Sequence, residues 1–162
     1  MWQYLNRNAL QVIATDHDGW SRQQKHAEQS VDAMLAGMPQ LETYLSLLYS
    51  EGVRKQRMSW SRLVEVCATH PAKIFGLYPK KGNLSIGADA DLVIFDPNQD
   101  KIIRADALHS RSDFDPYEGW KVQGWPVMTF SRGELVVSHG RTLAQADRGR
   151  LIRRKPFSEA SP

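Results

Sequence analysis

An acidic residue and a histidine follow directly on an apolar run near the start of the chain. The run spans residues 10–15 and is rich in Leu, Val, Ile and Ala, and Asp16 and His17 stand at its end. Short apolar runs are typical of strands buried on both faces, and barrel enzymes keep their catalytic groups at the carboxyl ends of such strands. The pattern therefore predicts a strand over about residues 10–16, with Asp16 as a candidate catalytic or metal-binding carboxylate.

Both residues also allow a structural interpretation. At the end of a strand, Asp16 can serve as a cap or turn residue instead of a catalytic group. Side chains alternate across a strand, so His17 points away from whatever Asp16 faces, and we expect it to make a structural hydrogen bond. His26 lies in the polar segment that follows, where it either touches a substrate or has no role in the site.

The composition of the chain excludes several classes of protein. Its 162 residues suffice for one ordinary core or two small ones, and 41% hydrophobic with 24% charged residues is typical of a globular protein. Cys67 is the only cysteine, which excludes an intrachain disulfide and a cysteine metal cluster. Because the sequence has neither a signal-peptide pattern nor an apolar run as long as a membrane span, we expect a cytoplasmic protein with no membrane partner.

A basic cluster lies near the end of the chain, although the formal net charge is only +3. Such a cluster binds phosphate or nucleic acid in some proteins and is a solvated or subunit-docking tail in others. No nucleic-acid-binding motif accompanies it. We therefore expect residues 146–162 to form a basic tail that binds no nucleic acid.

Helical periodicity dominates the first half of the chain. Residues 2–9 and 41–52 both have apolar side chains at helical spacing. A further helix is predicted to begin at Ser59 or Ser61, which are suitable N-caps, and to stop at Gly76. These helices would position the end of the predicted strand.

From Lys80 onward, short apolar runs separated by turns replace the helical spacing. The runs lie at residues 84–86, 92–95, 102–103, 127–130 and 135–137. Residues 131–134 and 138–141 are typical of turns that join strands. The pattern predicts an all-β module over residues 79–145, with a domain boundary near Tyr78.

Several segments, in this order, resemble the cyclic amidohydrolases, and in particular their dihydropyrimidinase and hydantoinase branch. They are residues 15–17, 41–53, 69–77, 87–93 and 116–122. The resemblance covers nearly the whole chain. Allantoinases and dihydroorotases share the Asp-His pair and a segment similar to residues 37–43, so these two activities stay open as alternatives.

The resemblance implies an α/β fold with three consecutive regions. Residues 1–78 correspond to the last strand and helices of a metal-dependent (β/α)8 barrel, which is a TIM barrel. Residues 79–145 correspond to the C-terminal part of a small β-sandwich, and residues 146–162 to the basic tail. For the full-length protein, the resemblance implies a homodimer or homotetramer that opens dihydropyrimidine or hydantoin rings with two divalent metals, usually zinc.

The resemblance also assigns roles to individual residues. The aspartate at the end of the family's eighth strand, here Asp16, binds one metal and carries a proton from the attacking hydroxide to the leaving ring nitrogen. The asparagine with which archetypal hydantoinases read the ring has no counterpart in residues 37–40. Pro39 and Gln40 are therefore the candidate substrate-binding residues.

The other metal ligands that the resemblance implies have no counterpart in this sequence. They are a His-x-His pair, a bridging lysine and two further histidines. One aspartate cannot hold a catalytic zinc, which needs about three protein ligands. We therefore expect a C-terminal portion of an amidohydrolase that is inactive and binds no metal by itself. The alternative is a non-catalytic assembly protein, as in the dihydropyrimidinase-related proteins.

Overall fold

The computed structural model describes residues 1–26 and 29–156, which form a set of short helices and a four-stranded sheet. The helices are α1 (Trp2–Asn6), α2 (Arg22–Lys25), α3 (Tyr44–Leu48), α4 (Trp60–Val64) and α5 (His70–Ile74). π-helical turns extend α3 over Tyr49–Val53 and join α4 to α5 over Glu65–Thr69. No described helix is long and apolar enough to span a membrane.

The predicted helices are confirmed in position, although the first is shorter than expected. α1 ends at Asn6 instead of residue 9. Ser59 caps α4, because its hydroxyl accepts a hydrogen bond from Arg62 N at 3.1 Å. The same helical run stops before Gly76, whose φ of 69° lies in the left-handed region that terminates many helices.

Residues 10–16 do not form the predicted strand. Apart from one parallel bridge between His17 and Met38, the residues that the structure describes place no strand beside them. A strand needs such a neighbour to bond its backbone groups. The backbone is bonded by the helices instead; the Tyr44 hydroxyl, for example, donates to Ile13 O at 2.8 Å. We call residues 10–17 the Asp16 segment.

A buried guanidinium fastens the start of the Asp16 segment to α4. Arg62 donates to Leu5 O at 2.7 Å and to Leu10 O at 2.9 Å. It also bonds Asn8 Oδ1 at 3.1 Å and forms an ion pair with Glu65 at 2.8 Å. These partners satisfy most of the donors of the group, which allows a charge to stay largely out of water.

The four strands form one antiparallel meander. They are β1 (Leu92–Ile102), β2 (Lys121–Ser131), β3 (Glu134–Ser138) and β4 (Arg141–Thr142), and they neighbour one another in chain order. β1 and β2 pair from Leu92 opposite Phe130 to Ile102 opposite Lys121, with two irregularities, between Ile94 and Phe95 and between Asp96 and Asp100. Such bulges bend long strands without ending them.

The observed sheet confirms both predicted turns, whereas one predicted strand does not form. Residues 131–134 and 138–141 connect β2 to β3 and β3 to β4. β1 and β2 run for 11 residues each, longer than the short apolar runs suggested. The prediction of a strand around Leu84 and Ile86 is wrong: both side chains are exposed, so no buried face favours a strand there.

The connection between β1 and β2, residues 103–120, packs against the helices. Ile103 at its start forms a buried cluster with Val122 and Trp125 of β2 and with Leu47 of α3. A second cluster lies among the helices and contains Leu5, Tyr49, Met58, Leu63 and Val66. The two clusters bury much of the apolar faces that the sequence periodicity predicts, through Leu5, Leu47, Leu63 and Val66. Leu41, at the start of the predicted face over residues 41–52, is instead 60% exposed.

The basic tail lies against the molecule. Arg148 forms an ion pair with Glu134 at 2.8 Å. Further along the tail, Lys155 N donates to Gly76 O at 2.8 Å. The tail therefore crosses from the β-hairpin to the end of α5, and the remaining residues 157–162 of the predicted tail lie outside the described residues.

Candidate catalytic site at the end of the Asp16 segment

Asp16 has an exposed side chain and a backbone in the left-handed region, with φ of 48°. Few residues other than glycine adopt this conformation, and Asp and Asn tolerate it best. Within residues 1–26 and 29–156, no hydrogen bond or ion pair engages the Asp16 carboxylate. The carboxylate is therefore available to a ligand or a proton.

A neighbouring loop, residues 35–40, holds the backbone of Asp16 in place. Met38 N donates to Asp16 O at 3.2 Å, and Asp18 N donates to Met38 O at 3.3 Å. Gly37 makes this approach possible, because a Cβ at residue 37 would lie 2.5 Å from Asp18 Cβ. Its φ of 85° also favours glycine.

The two candidate substrate-binding residues belong to the same loop. Pro39 is buried. The Gln40 side-chain amide donates to Thr15 O at 3.1 Å, and Gln40 N donates to Met38 O at 3.0 Å. The structure thus brings Gln40 to the residue before Asp16, where its amide nitrogen braces the backbone.

His17 accepts the structural hydrogen bond that the sequence predicts. Its Nδ1 lies 3.1 Å from Leu41 N, which donates to it just before α3. In the neutral ring, the proton is therefore on Nε2. His26 is not joined to the site in this way; its Nδ1 lies 3.5 Å from the side-chain nitrogen of Gln29.

A buried lysine holds the loop from its other side. Lys25 is only 6% exposed, and its Nζ donates to Leu35 O at 2.5 Å and to Gly37 O at 2.8 Å. The carbonyl oxygens replace water around the ammonium group. The sequence analysis missed Lys25, because a lysine within a polar stretch is ordinarily exposed and nothing in its neighbourhood indicates burial.

Tyr44 supports the middle of the Asp16 segment from α3. Besides bonding Ile13 O, its hydroxyl lies 3.0 Å from Cys67 Sγ. Burial raises the pKa of the Tyr44 hydroxyl and also that of the Cys67 thiol. Both groups are therefore protonated at neutral pH, and Cys67 is not an activated nucleophile.

The described residues do not fit a complete metal centre. Among them, no group of three or more His, Cys, Asp or Glu side chains is arranged to hold a metal ion. A zinc ion in a catalytic site takes about three protein ligands. Asp16 can supply one oxygen ligand and leaves the others to be provided from elsewhere.

Comparison with known proteins identifies the family. The model of the amidohydrolase family matches residues 1–136. The chain belongs to the amidohydrolase family. The chain is 41% identical over 159 residues to D-phenylhydantoinases from several Escherichia coli strains, and the match covers 97% of the chain and 34% of the relative. The chain thus spans about a third of the length of the curated relatives it matches.

Solved structures of other amidohydrolases have the same fold over this length. A D-hydantoinase has a TM-score of 0.92 at 36% identity, and the match covers 97% of this chain and 35% of that one. A dihydropyrimidinase from Brevibacillus agri has a TM-score of 0.93 at 33% identity, covering 97% and 34%. An L-hydantoinase from Arthrobacter aurescens has a TM-score of 0.82 at 36% identity, covering 89% and 32%. These similar proteins are hydantoinases and a dihydropyrimidinase, the branch that the sequence motifs resemble.

Proposed function

We propose that this amidohydrolase chain forms part of the active site of a metal-dependent enzyme that opens hydantoin or dihydropyrimidine rings. The observation that carries the proposal is the exposed, unengaged carboxylate of Asp16, on a backbone held by a hydrogen bond from Met38 N, in a chain 41% identical to D-phenylhydantoinase. Because the chain spans about a third of that relative, the rest of the active site comes from outside it.

In this proposal, Asp16 moves one proton in each turnover. Water adds to the carbonyl carbon of the ring amide, and the Asp16 carboxylate accepts the proton that the water loses. The C–N bond of the tetrahedral adduct then breaks, and the carboxylic acid of Asp16 gives the same proton to the leaving nitrogen. A carboxylate without a competing partner suits both steps.

The second role proposed for Asp16 is that of a ligand in a binuclear divalent metal centre, for which we propose zinc. Carboxylate oxygens are established ligands of zinc. The chain alone does not fit such a centre, since the described residues supply no group of three ligands. We therefore expect this chain, by itself, to be inactive and to bind no stoichiometric zinc.

We further propose that in the full-length protein residues 1–78 supply the last strand and helices of a (β/α)8 barrel, the strand forming at residues 10–16 where a neighbouring strand is present. Residues 79–145 then belong to a β-sandwich, and residues 146–162 are a tail. Support comes from apolar side chains that the described structure leaves exposed. They include Val31, Met34, Leu35 and Leu41 near the site and Val93, Ile94 and Ile102 on β1. Exposed apolar side chains in such number are typical of a surface that another part of a protein covers.

A chimera tests the proposed function. This chain replaces the matching third of the Escherichia coli D-phenylhydantoinase, whose remaining residues complete the active site. We expect the chimera to hydrolyse hydantoin or dihydrouracil, and Asp16→Asn to lower kcat by at least about 100-fold, as expected for loss of a general acid–base. Asp18→Asn makes the same chemical change two residues away and should leave kcat nearly unchanged.

Several outcomes would contradict the proposal. Normal turnover by the Asp16→Asn chimera would show that Asp16 is a turn residue. Turnover of allantoin or dihydroorotate alone would assign the chain to one of those activities. Stoichiometric zinc or turnover in the isolated chain would show that the missing ligands are dispensable.

A non-catalytic role in assembly is the second candidate function. The lack of a three-ligand group among the described residues favours it, as do the exposed apolar side chains. Under this proposal the chain forms dimers or tetramers and the chimera has no turnover. Light scattering on the purified chain, combined with the chimera assays, separates the two candidates. An upstream reading frame that encodes a His-x-His pair would favour the enzyme.

A further inference from the structure

A loop that leaves the sheet contacts the two stretches of chain that flank the candidate site, residues 19–22 after the Asp16 segment and residues 42–43 before α3. This loop, residues 108–115, belongs to the connection between β1 and β2, and we call it the connection loop. On one side, His109 N and Nδ1 donate to the two carboxylate oxygens of Glu42, at 2.7 and 3.0 Å. On the other side, Arg22 N donates to Asp113 Oδ1 at 2.8 Å.

Further contacts lie beside these two hydrogen-bonded pairs. The Arg22 guanidinium lies 5.0 Å from the centre of the Phe114 ring. The Thr43 hydroxyl lies 3.5 Å from Asp115 Oδ2, and the two residues are 0% and 4% exposed. Gly19 faces Ser110, with 3.8 Å between its Cβ position and Ser110 Oγ. The connection loop is therefore in contact with both sides of the site.

The residues that the loop contacts lead directly to the candidate site. Glu42 follows Leu41, the residue whose amide donates to His17 Nδ1. Arg22 begins α2, and α2 ends at Lys25, whose Nζ donates to Gly37 O in the loop beside Asp16. Each contact is thus only a few residues away from a hydrogen bond that fixes the site backbone.

We propose that Glu42 and Asp113 are positioning residues for Asp16, and that the connection loop sets residues 19–22 and residues 42–43, which flank the site, relative to each other. One part of the proposal rests on the proposed function: the positioning of Asp16 serves catalysis only if Asp16 moves the proton. Catalytic groups must be held within about half an ångström of their working positions, and neighbouring contacts supply this precision. The sheet thereby acts on the site without touching the substrate.

Hydrogen exchange, followed by NMR in the full chain, tests the proposal without a turnover assay. The variants are Glu42→Ala, Asp113→Ala and their combination. The reporters are the amides of Asp18, Met38 and Leu41, which make the hydrogen bonds that fix the site. We expect these amides to exchange about three- to tenfold faster in the double variant, as loss of partly exposed charged hydrogen bonds predicts, while the β1 and β2 amides do not change.

Two kinds of variant control this experiment. Asp106→Ala removes an exposed carboxylate of the same connection that pairs with Arg104, and it should leave the three reporter amides unchanged. Asp113→Asn and Glu42→Gln keep an acceptor oxygen for the Arg22 and His109 amides, so they should restore most of the original exchange rates. A general loss of stability would not distinguish these variants in this way.

Unchanged exchange at the three reporter amides in the double variant would overturn the proposal. Equal acceleration in β1 and β2 would also overturn it, because the contacts would then stabilise the whole fold and not the site. The expected exchange pattern together with an inactive chimera would refute the proposed function alone, since exchange is measured without substrate.

Discussion

The left-handed backbone of Asp16 is a local strain that its neighbours maintain. The hydrogen bond from Met38 N to Asp16 O holds the residue in this conformation, and the side chain makes no bond of its own within the described residues. Residues in such conformations are frequent at functional sites, where the surrounding structure offsets the cost. Asp16 therefore contributes little to stability, which leaves its carboxylate free for chemistry.

This conformation gives different expectations for two substitutions of Asp16. Asp16→Ala should lower the free energy of unfolding by about 1 kcal/mol, because alanine does not tolerate the left-handed region. Asp16→Asn should stay within about 0.5 kcal/mol of wild type, because asparagine tolerates it well. Urea unfolding monitored by circular dichroism measures both values. A loss of several kcal/mol in Asp16→Asn would mean that the carboxylate has a structural partner.

At the residue scale, the sequence indicates a candidate for chemistry more readily than it indicates the side chains that support it. The place of Asp16 after an apolar run makes it a candidate from the sequence alone. The strand alternation used for His17 does not apply, because residues 10–16 form no strand, although His17 does make a structural hydrogen bond. The burial of Lys25 could not be predicted, because its partners are carbonyl groups of Leu35 and Gly37. Their positions depend on the path of a loop that no local pattern encodes.

At the scale of elements, caps and turns are predictable from the sequence, whereas strand pairing is not. The Ser59 cap and the turn at residues 131–134 depend on residues that are close in sequence. Residues 10–16 and 84–86 have the apolar character of strands. Neither segment has a neighbouring strand among the described residues, and apolar character alone does not create one.

The contact between Glu42, just before α3, and His109 of the connection loop predicts a pH dependence of stability. The hydrogen bond with the Glu42 carboxylate raises the pKa of His109 above its usual value of 6.5. A raised pKa in the folded state favours the protonated ring, so this contribution is complete below about pH 6.5 and is lost as the pH rises through the raised pKa.

His109→Ala should therefore cost more stability at pH 6 than at pH 8.5. Urea unfolding of wild type and variant at the two pH values measures this difference. In a Glu42→Gln background, the difference between the two pH values should become smaller, because the carboxylate that raises the pKa is gone. An equal cost at both pH values would show that the ion pair contributes nothing.

At the scale of the whole molecule, the helices and the sheet pack together across the change of sequence pattern near Tyr78. The Phe95 ring of β1 lies 5.0 Å from that of Tyr49 and 5.6 Å from that of Trp60, between ring centres. The sequence shows where the pattern changes. It does not show that the two parts pack together, because contacts between distant residues leave no local periodicity.

The tail contact at the end of α5 predicts a change in protease sensitivity. A Cβ at Gly76 would lie 1.8 Å from Lys155 O, so Gly76→Ala should displace the tail. Gly87→Ala is the matched control, since residue 87 also has a positive φ but no atom lies within 4 Å of its Cβ position. We expect trypsin to cleave the tail several-fold faster in Gly76→Ala than in Gly87→Ala. Equal rates would mean that the tail does not depend on this contact.

The hydrogen bond between Lys155 and Gly76 also joins the two ends of the stretch that contains the entire sheet. A segment whose two ends lie side by side can be exchanged as a unit, because the rest of the chain needs to be cut at only one place in space to accept a replacement. Residues 76 and 155 are therefore natural splice points. Sheets from different amidohydrolases, each with its own connection loop, can be exchanged at these two positions while Asp16 and its helices stay in place.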